Sequence, residues 1–387
     1  MMLARGWVGT LILGVMHCFA GAAAAQEAPT PAPEPPHRPK LAFDLSVGAR
    51  YDDNILRLSN CDRDSVDSGI PRLPCANDPG HRASHAGDRL TTSDDNVVLA
   101  GFQGRWTTRP FPHRNTTVGA SYDIYRYMRN PIKNWSEWSL TFAQELSASR
   151  KHLTLLRAWV DYVPSYYLRE LRDDAASLDA GTPVYASATY AQTEYDLALE
   201  QEIVNNRMHA VAGAELERRD YNHQFDARDS DKTTWWLGLR GRFSERLRTQ
   251  ATLTYYWGRL AADGDLPSTP ILERDISYDH RGIKLDGAVS WGDRRGGRVE
   301  LLVKAETREF TTTDRFDVYR FGRVDHRREY RARFVQRAGL RFDIVAEWWR
   351  YESNPDLLIP SLDPAGDVTG YVENRYTVSL RCHIPQR

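Results

Sequence analysis

Residues 233–257 read TTWWLGLRGRFSERLRTQATLTYYW, and few folds accommodate such a stretch. Thr233, Trp235, Leu237, Leu239, Gly241 and Phe243 alternate with Thr234, Trp236, Gly238, Arg240 and Arg242. After Ser244-Glu245-Arg246, Leu247, Thr249, Ala251, Leu253, Tyr255 and Trp257 alternate with Arg248, Gln250, Thr252, Thr254 and Tyr256. Successive strand side chains point to opposite faces, so the pattern predicts a hairpin with one apolar wall and one polar wall. Soluble strands average about five or six residues, and these are longer. A lipid-facing wall asks for about ten residues per tilted strand, with aromatic girdles at both interfaces. Here the aromatics cluster at the far ends and the middle of the apolar wall is aliphatic or small.

The same alternation recurs along the chain. Apolar residues at every second position mark strands near 41–51, 98–106, 118–124, 138–146, 156–162, 185–199, 208–216, 283–291, 299–305, 330–334, 340–348 and 376–384. With the hairpin these make a barrel of about 14 strands, and roughly 12 or 16 if one weak hairpin is miscounted, since bacterial barrels take even numbers. Pro164 near the end of the fifth strand signals a bulge or the strand's exit. Connections after the first, fifth, seventh, ninth, eleventh and thirteenth strands are long, and those after the even-numbered strands are short. A soluble Greek key has no reason to sort its loops by parity. The expected fold is all-β: a single antiparallel up-and-down transmembrane β-barrel over 41–387, with long extracellular loops and short periplasmic turns.

The chain ends fit export. Arg5, the apolar run Val8–Phe19 and Ala23-Ala24-Ala25 before Gln26 form a signal peptide over 1–25. Residues 26–40 include EAPTPAPEPPHRP and read as an extended periplasmic linker. No other apolar run reaches the length of a membrane helix. A net charge of −1 implies no polyanion partner, and no nucleic-acid motif is present. Cys61 and Cys75 share one polar segment and are candidates for a disulfide in an oxidising compartment; Cys382 reads as a small apolar strand residue.

The leader, the alternation over 41–384 and Tyr51-Asp52-Asp53-Asn54 at the top of the first strand resemble Gram-negative outer-membrane barrels. Among these the chain is similar to β-barrel porin families and to the barrel half of surface lipoprotein assembly modifiers. The resemblance implies outer-membrane lipid and lipopolysaccharide as surroundings and the barrel-assembly machinery as a partner. Such barrels tend to end on an aromatic residue, and Ile384-Pro385-Gln386-Arg387 departs from that pattern.

The polar wall should face the lumen. It offers Glu194, Asp196, Glu200, Glu215 and Glu217 from strands six and seven, and Arg240, Arg242, Arg248, Lys284, Arg298, Lys304, Arg331, Arg333, Arg341 and Arg381 from strands eight to fourteen. Acids such as Asp286, Glu300, Glu306, Glu329, Asp343 and Glu347 are interspersed with the cations. Isolated charges cannot sit in a dry core. Two readings stay open: a hydrated pore with an acidic sector facing a mainly basic one, or a lumen plugged by cross-strand ion pairs. Lumenal Tyr125, Trp236 and Tyr256 could stack sugars or serve as packing. Asp52-Asp53-Asn54, Asp94-Asp95-Asn96 and Asp62, Asp64 and Asp67 have the oxygens calcium needs but no EF-hand spacing, so they read as solvated loops rather than a metal site.

No catalytic constellation emerges. His209 lies on the polar face, whereas His81, His85, His223, His280 and His326 fall in connections, and no Ser or Cys motif marks a nucleophile. No cofactor is expected. The function expected is a porin-like channel for small polar or anionic solutes, saccharides included. The alternatives are a component of polysaccharide or surface-protein export with periplasmic partners, and a structural or adhesive barrel working through its 53–95 loop.

Overall fold

The computed structural model describes residues 39–58, 63, 66–67, 90–111, 114–147, 153–173, 176, 179–181, 184–204, 207–244, 247–262, 277–292, 296–312, 320–356 and 370–384. The expected signal peptide, most of the linker, and Cys61 and Cys75 with their disulfide lie outside these residues.

Alternation becomes strand at each of the expected places. The strands are β1 (Lys40–Asp52), β2 (Asp95–Phe111), β3 (Arg114–Tyr127), β4 (Trp135–Glu145), β5 (Thr154–Asp173), β6 (Val184–Val204) and β7 (Met208–Tyr221). The second half supplies β8 (Ser230–Ser244), β9 (Thr249–Ala262), β10 (Tyr278–Gly292), β11 (Gly297–Phe310), β12 (Val324–Ala338), β13 (Phe342–Asp356) and β14 (Tyr371–Ile384). Each pairs antiparallel with its sequence neighbours, and β1 closes on β14 from Phe43 opposite Ile384 to Asp52 opposite Arg375. The product is a closed 14-stranded barrel with no free edge. Even the shortest strand, β4, has 11 residues, enough for a tilted strand to cross the hydrocarbon of a bilayer.

Connections after odd-numbered strands emerge at one end, the long-loop end; those after even-numbered strands make the short-turn end. The β5–β6 hairpin is the tallest, with 20 and 21 residues. Pro164 does not end β5. The register shifts between Val163 and Tyr166, where Pro164 cannot donate to the ladder, and the strand resumes as far as Asp173.

The outer wall is apolar. Leu239, Leu253 and Leu285 stand side by side on β8, β9 and β10 and are 47, 52 and 50 % exposed. Trp106, Phe111, Phe243 and Trp291 are exposed toward the short-turn end, and Trp138 and Trp235 toward the long-loop end. An exposed apolar band of this extent, edged by aromatics, suits lipid and not water. The fold and its surface are those of an outer-membrane β-barrel.

Contacts that skip a strand identify the concave face. Arg240 on β8 reaches Glu200 on β6 at 3.1 Å, and the Tyr256 hydroxyl on β9 donates to Glu306 on β11 at 2.5 Å. Arg50 on β1 lies 5.5 Å from the ring centroid of Tyr125 on β3. These residues carry the parity of the polar wall, so that wall faces inward. Gly213 on β7 makes room there: a Cβ would collide with the Trp236 ring on β8.

Reversing the wall locally should be costly. Leu253→Arg is expected to destabilise the barrel in lipid by about 2–4 kcal/mol, while Thr252→Arg on the opposite face is tolerated. Denaturant titration of vesicle-inserted protein checks this; equal penalties would contradict the assignment of faces.

Candidate functional site

The inner wall is made of charges, and most of them are neutralised locally. Lys232 donates to Glu215 at 2.5 Å and to Glu217 at 3.2 Å, and Arg219 also pairs with Glu217. Glu200 receives Arg240 and Arg157, and His209 Nδ1 lies 3.1 Å from its Oε1. Lys284 approaches Asp286 at 3.8 Å, Arg298 pairs with Glu300 at 2.7 Å, and Lys304 pairs with Glu329 at 3.0 Å. Arg331 also meets Glu329, and Arg333 bridges Glu300 and Glu347. The expected basic sector is therefore largely a lattice of cross-strand and along-strand ion pairs, each of which lowers the cost of lining a curved wall with charge.

Two groups escape this pairing. Arg242, Arg248, Arg341 and Arg381 have no ion-pair partner among the described residues, and all lie toward the short-turn end. Arg248 and Arg341 sit in turns beside β9 and β13 rather than on the strands, and Arg248 has a left-handed backbone with φ 41°. The other group is acidic: Asp123, Glu137, Asp161, Glu194 and Asp196, on β3 to β6, also lack a basic partner among the described residues. Asp123 stands opposite Glu137 and Asp161 opposite Glu194, while Asp196 stands opposite Glu215. Among the expected acidic wall residues, Glu194, Asp196 and Glu215 are brought together, with one oxygen from each within 4.8 Å of the others.

The lumen is not uniform along its length. Toward the short turns, inward residues such as Gln103, Arg105, Arg242 and Gln250 are exposed. Toward the long loops, inward Val97, Tyr127, Tyr167, Phe310, Trp349 and Glu373 are buried. Part of the burial comes from the first connection folding inward. Ile55, Leu56 and Leu58, with Val66 and Leu90, pack on Val97, Tyr127 and Tyr167 in one apolar cluster, flanked by Leu99, Tyr125, Ile132 and Trp135.

The motif at the top of β1 anchors this inward turn. Asn54 Oδ1 accepts from Leu58 N at 2.7 Å, while its Nδ2 donates to the Leu58 and Val372 carbonyls at 2.7 and 2.8 Å. Asp53 accepts from the Asn374 backbone and amide, and Asp52 accepts from Arg375 at 3.0 Å. Arg375 also holds Glu373, which receives Arg57 at 3.1 Å. Burial pulls the Arg57 guanidinium down, but Glu373 together with Tyr371, Tyr166 and Tyr351 more than reverses this and leaves it above its ordinary value. At the start of β2, Asp95 accepts from the Arg129 and Asn130 backbone amides, and Asp94 pairs with Arg129. Asp67 accepts from Ser93 N and Oγ. These acidic clusters are thus not solvated loops: their oxygens hold protein donors. Asp62 and Asp64 lie outside the described residues.

Aromatic rings run along the inner wall beneath the cluster. Tyr125 and Trp135 stack with centroids 3.9 Å apart, and Tyr166, Tyr190 and Tyr221 continue the row over β5, β6 and β7. Lys133, 2 % exposed, lies 4.2 Å above the Tyr166 ring and donates to the Tyr167 carbonyl at 2.9 Å. Trp236 and Tyr256 are inward as expected, but both cover glycines of neighbouring strands, Gly213 and Gly282. Lys133 and the row from Trp135 to Tyr221 escape sequence reading, because they flank turns and bulges where the two-residue period breaks.

The histidines differ from expectation. His280 and His326 lie on β10 and β12, not in connections, because both strands begin earlier than their apolar alternation does. Thr307 Oγ1, His326 and Asp356 form a line at 3.4 and 3.2 Å, but the His and Asp side chains are 44 and 76 % exposed. So long a hydrogen bond in so open a setting does not activate a hydroxyl.

No family model matches the sequence, and no curated protein matches it. Solved structures do resemble the fold. An anion-selective porin from Comamonas acidovorans aligns over 90 % of this chain and 99 % of its own, at 9 % identity and TM-score 0.37. The outer-membrane channel DcaP of Acinetobacter baumannii aligns over 89 and 97 %, at 9 % identity and TM-score 0.40. A bacterial polysaccharide outer-membrane secretin aligns over 89 and 99 %, at 9 % identity and TM-score 0.37.

Removing the central cation of the anchor should show its weight. Arg375→Ala leaves Asp52 and Glu373, 1 and 0 % exposed, without it. It is expected to cost about 3–5 kcal/mol, the usual penalty for stranding buried charge. Urea unfolding in detergent checks the value; a loss below about 1 kcal/mol, the size of a surface pair, would contradict the anchor.

Proposed function

We propose that the barrel is a channel of restricted bore for small polar solutes, with the short-turn end opening to the periplasm and the long-loop end facing outward. The observation that carries this reading is the gradient along the inner wall, from exposed polar residues at the short turns to a tightly packed mouth at the long loops. Charged residues exposed on a concave wall need water, so the wide part of the lumen is hydrated.

The solute class follows from which charges remain free to act. Paired charges present little net field to a passing ion. The unpaired carboxylates of β3 to β6 lie higher on the wall, whereas Arg242, Arg248, Arg341 and Arg381 present unpaired positive charge at the periplasmic rim, where a solute on that side first enters. That rim favours anions and anionic saccharides. The inward packing of Ile55, Leu56 and Leu58 speaks against an adhesive role for the described part of the first loop, and the narrow mouth speaks against passage of a bulky polymer.

In planar bilayers the protein should give small, steady conductance steps with anion preference. Arg242→Glu with Arg381→Glu should shift the reversal potential in a salt gradient toward cations. Absence of current from verified folded protein would overturn the channel reading. An unchanged reversal potential would overturn the role of the rim.

A further inference from the structure

We propose that Glu194, Asp196 and Glu215, with the hydroxyl of Thr234, form a binding site for a hard divalent cation of the calcium class on the inner wall where β6, β7 and β8 adjoin. The three carboxylates each place one oxygen within 4.8 Å of the others. Oxygens bound to one calcium ion at 2.3–2.6 Å lie at most about 5 Å apart, so the cluster has the dimensions of a single coordination sphere.

A second observation is independent of the carboxylates. Thr234 is 7 % exposed, and its Oγ1 has no hydrogen-bond partner among the described residues. It stands directly opposite Glu215 on β8, and Lys232 from the same strand already occupies Glu215 Oε1. On the other side, Asp196 is 6 % exposed and its Oδ2 is also without a partner. Leaving buried polar atoms unsatisfied costs about 1–3 kcal/mol each, and more when they are charged. The Thr234 hydroxyl, on the strand position beside Glu215, and the Asp196 carboxylate oxygen, within the cluster, are both ligands of hard cations.

Charge selects the occupant. Asp196 faces Glu215 across the ladder, and Glu194 lies between Asp161 and Glu217. Directly opposed like charges are destabilising. Lys232 and Arg219 pair with Glu215 and Glu217, and the Lys232 charge also reaches Asp196, but no basic group forms an ion pair with Asp161, Glu194 or Asp196 among the described residues, so one ammonium faces several carboxylates. Water satisfies hydrogen bonds without removing that repulsion. A divalent cation does both, and the purely oxygen donor set excludes zinc- or copper-like preferences.

The test uses the full-length folded protein in detergent, stripped with EDTA and titrated with Ca²⁺ by calorimetry and with Tb³⁺ by luminescence. Trp159 stands opposite Asp196, and the Trp236 ring lies against Gly213, two residues before Glu215, so both can sensitise bound Tb³⁺. One saturable site is expected, displaced by Ca²⁺. Its affinity should fall at least tenfold in Glu194→Gln and in Asp196→Asn, and several-fold in Thr234→Val. Heat-dependent gel mobility confirms that each variant is folded, and the two carboxylate variants are made separately so that one misfolded protein does not silence the test. Absence of saturable binding, which would mean a protonated, water-filled pocket, overturns the proposal. So does binding unchanged in both carboxylate variants. The readout needs no current, so its failure is separate from failure of the channel reading.

Discussion

Closure is the constraint on which everything else in this barrel depends. A sheet in hydrocarbon cannot leave a row of backbone donors and acceptors unpaired, because no water is there to receive them. The pairing of β1 with β14 removes the last edge. The seam has its own fastening: His383 on β14 lies between Asp44 on β1 at 2.6 Å and Asp343 on β13 at 2.9 Å. Once the sheet is closed, each strand must give one face to lipid and one to the lumen, and the two-residue alternation follows.

Closure creates a second problem, which is filling the concave side. A fourteen-stranded barrel is too wide for one layer of side chains to fill, yet a wall of bare charges would repel itself. The protein answers differently at different heights. At the long-loop end the first connection turns in and supplies an apolar cluster, clamped by Asn54 and by the Asp52–Arg375–Glu373–Arg57 chain of charges. Around β8 to β13, arginines and lysines pair with acids on the same strand, on adjacent strands or, for Arg240, one strand further along the wall. On β3 to β6, Asp123, Glu137, Asp161, Glu194 and Asp196 have no ion-pair partner among the described residues, and that imbalance gives the wall its local character.

Strand number and the direction of each face were legible because both follow from a short local period. Trp235 and Trp236 differ in fate only by parity, and parity is read directly. Strand ends were less legible. β5 passes Pro164 through a bulge, and β10 and β12 begin at residues with no apolar alternation, so His280 and His326 read as loop residues. The wall charges were legible as a set, but their pairing was not. Whether Arg331 faces open water or Glu329 depends on rotamers and on cross-strand register, which the spacing of one strand does not contain. The acidic motif at the top of β1 was visible too, but its role depends on Val372, Glu373 and Arg375, more than 300 residues away along the chain.

The wall is greasy outside and wet within, and two adjacent indoles report on its two faces. In single-tryptophan variants retaining either Trp235 or Trp236, inserted in vesicles whose acyl chains carry bromine, Trp235 should be strongly quenched and Trp236 should not. Equal quenching of the two, or quenching of Trp236 alone, would contradict the account.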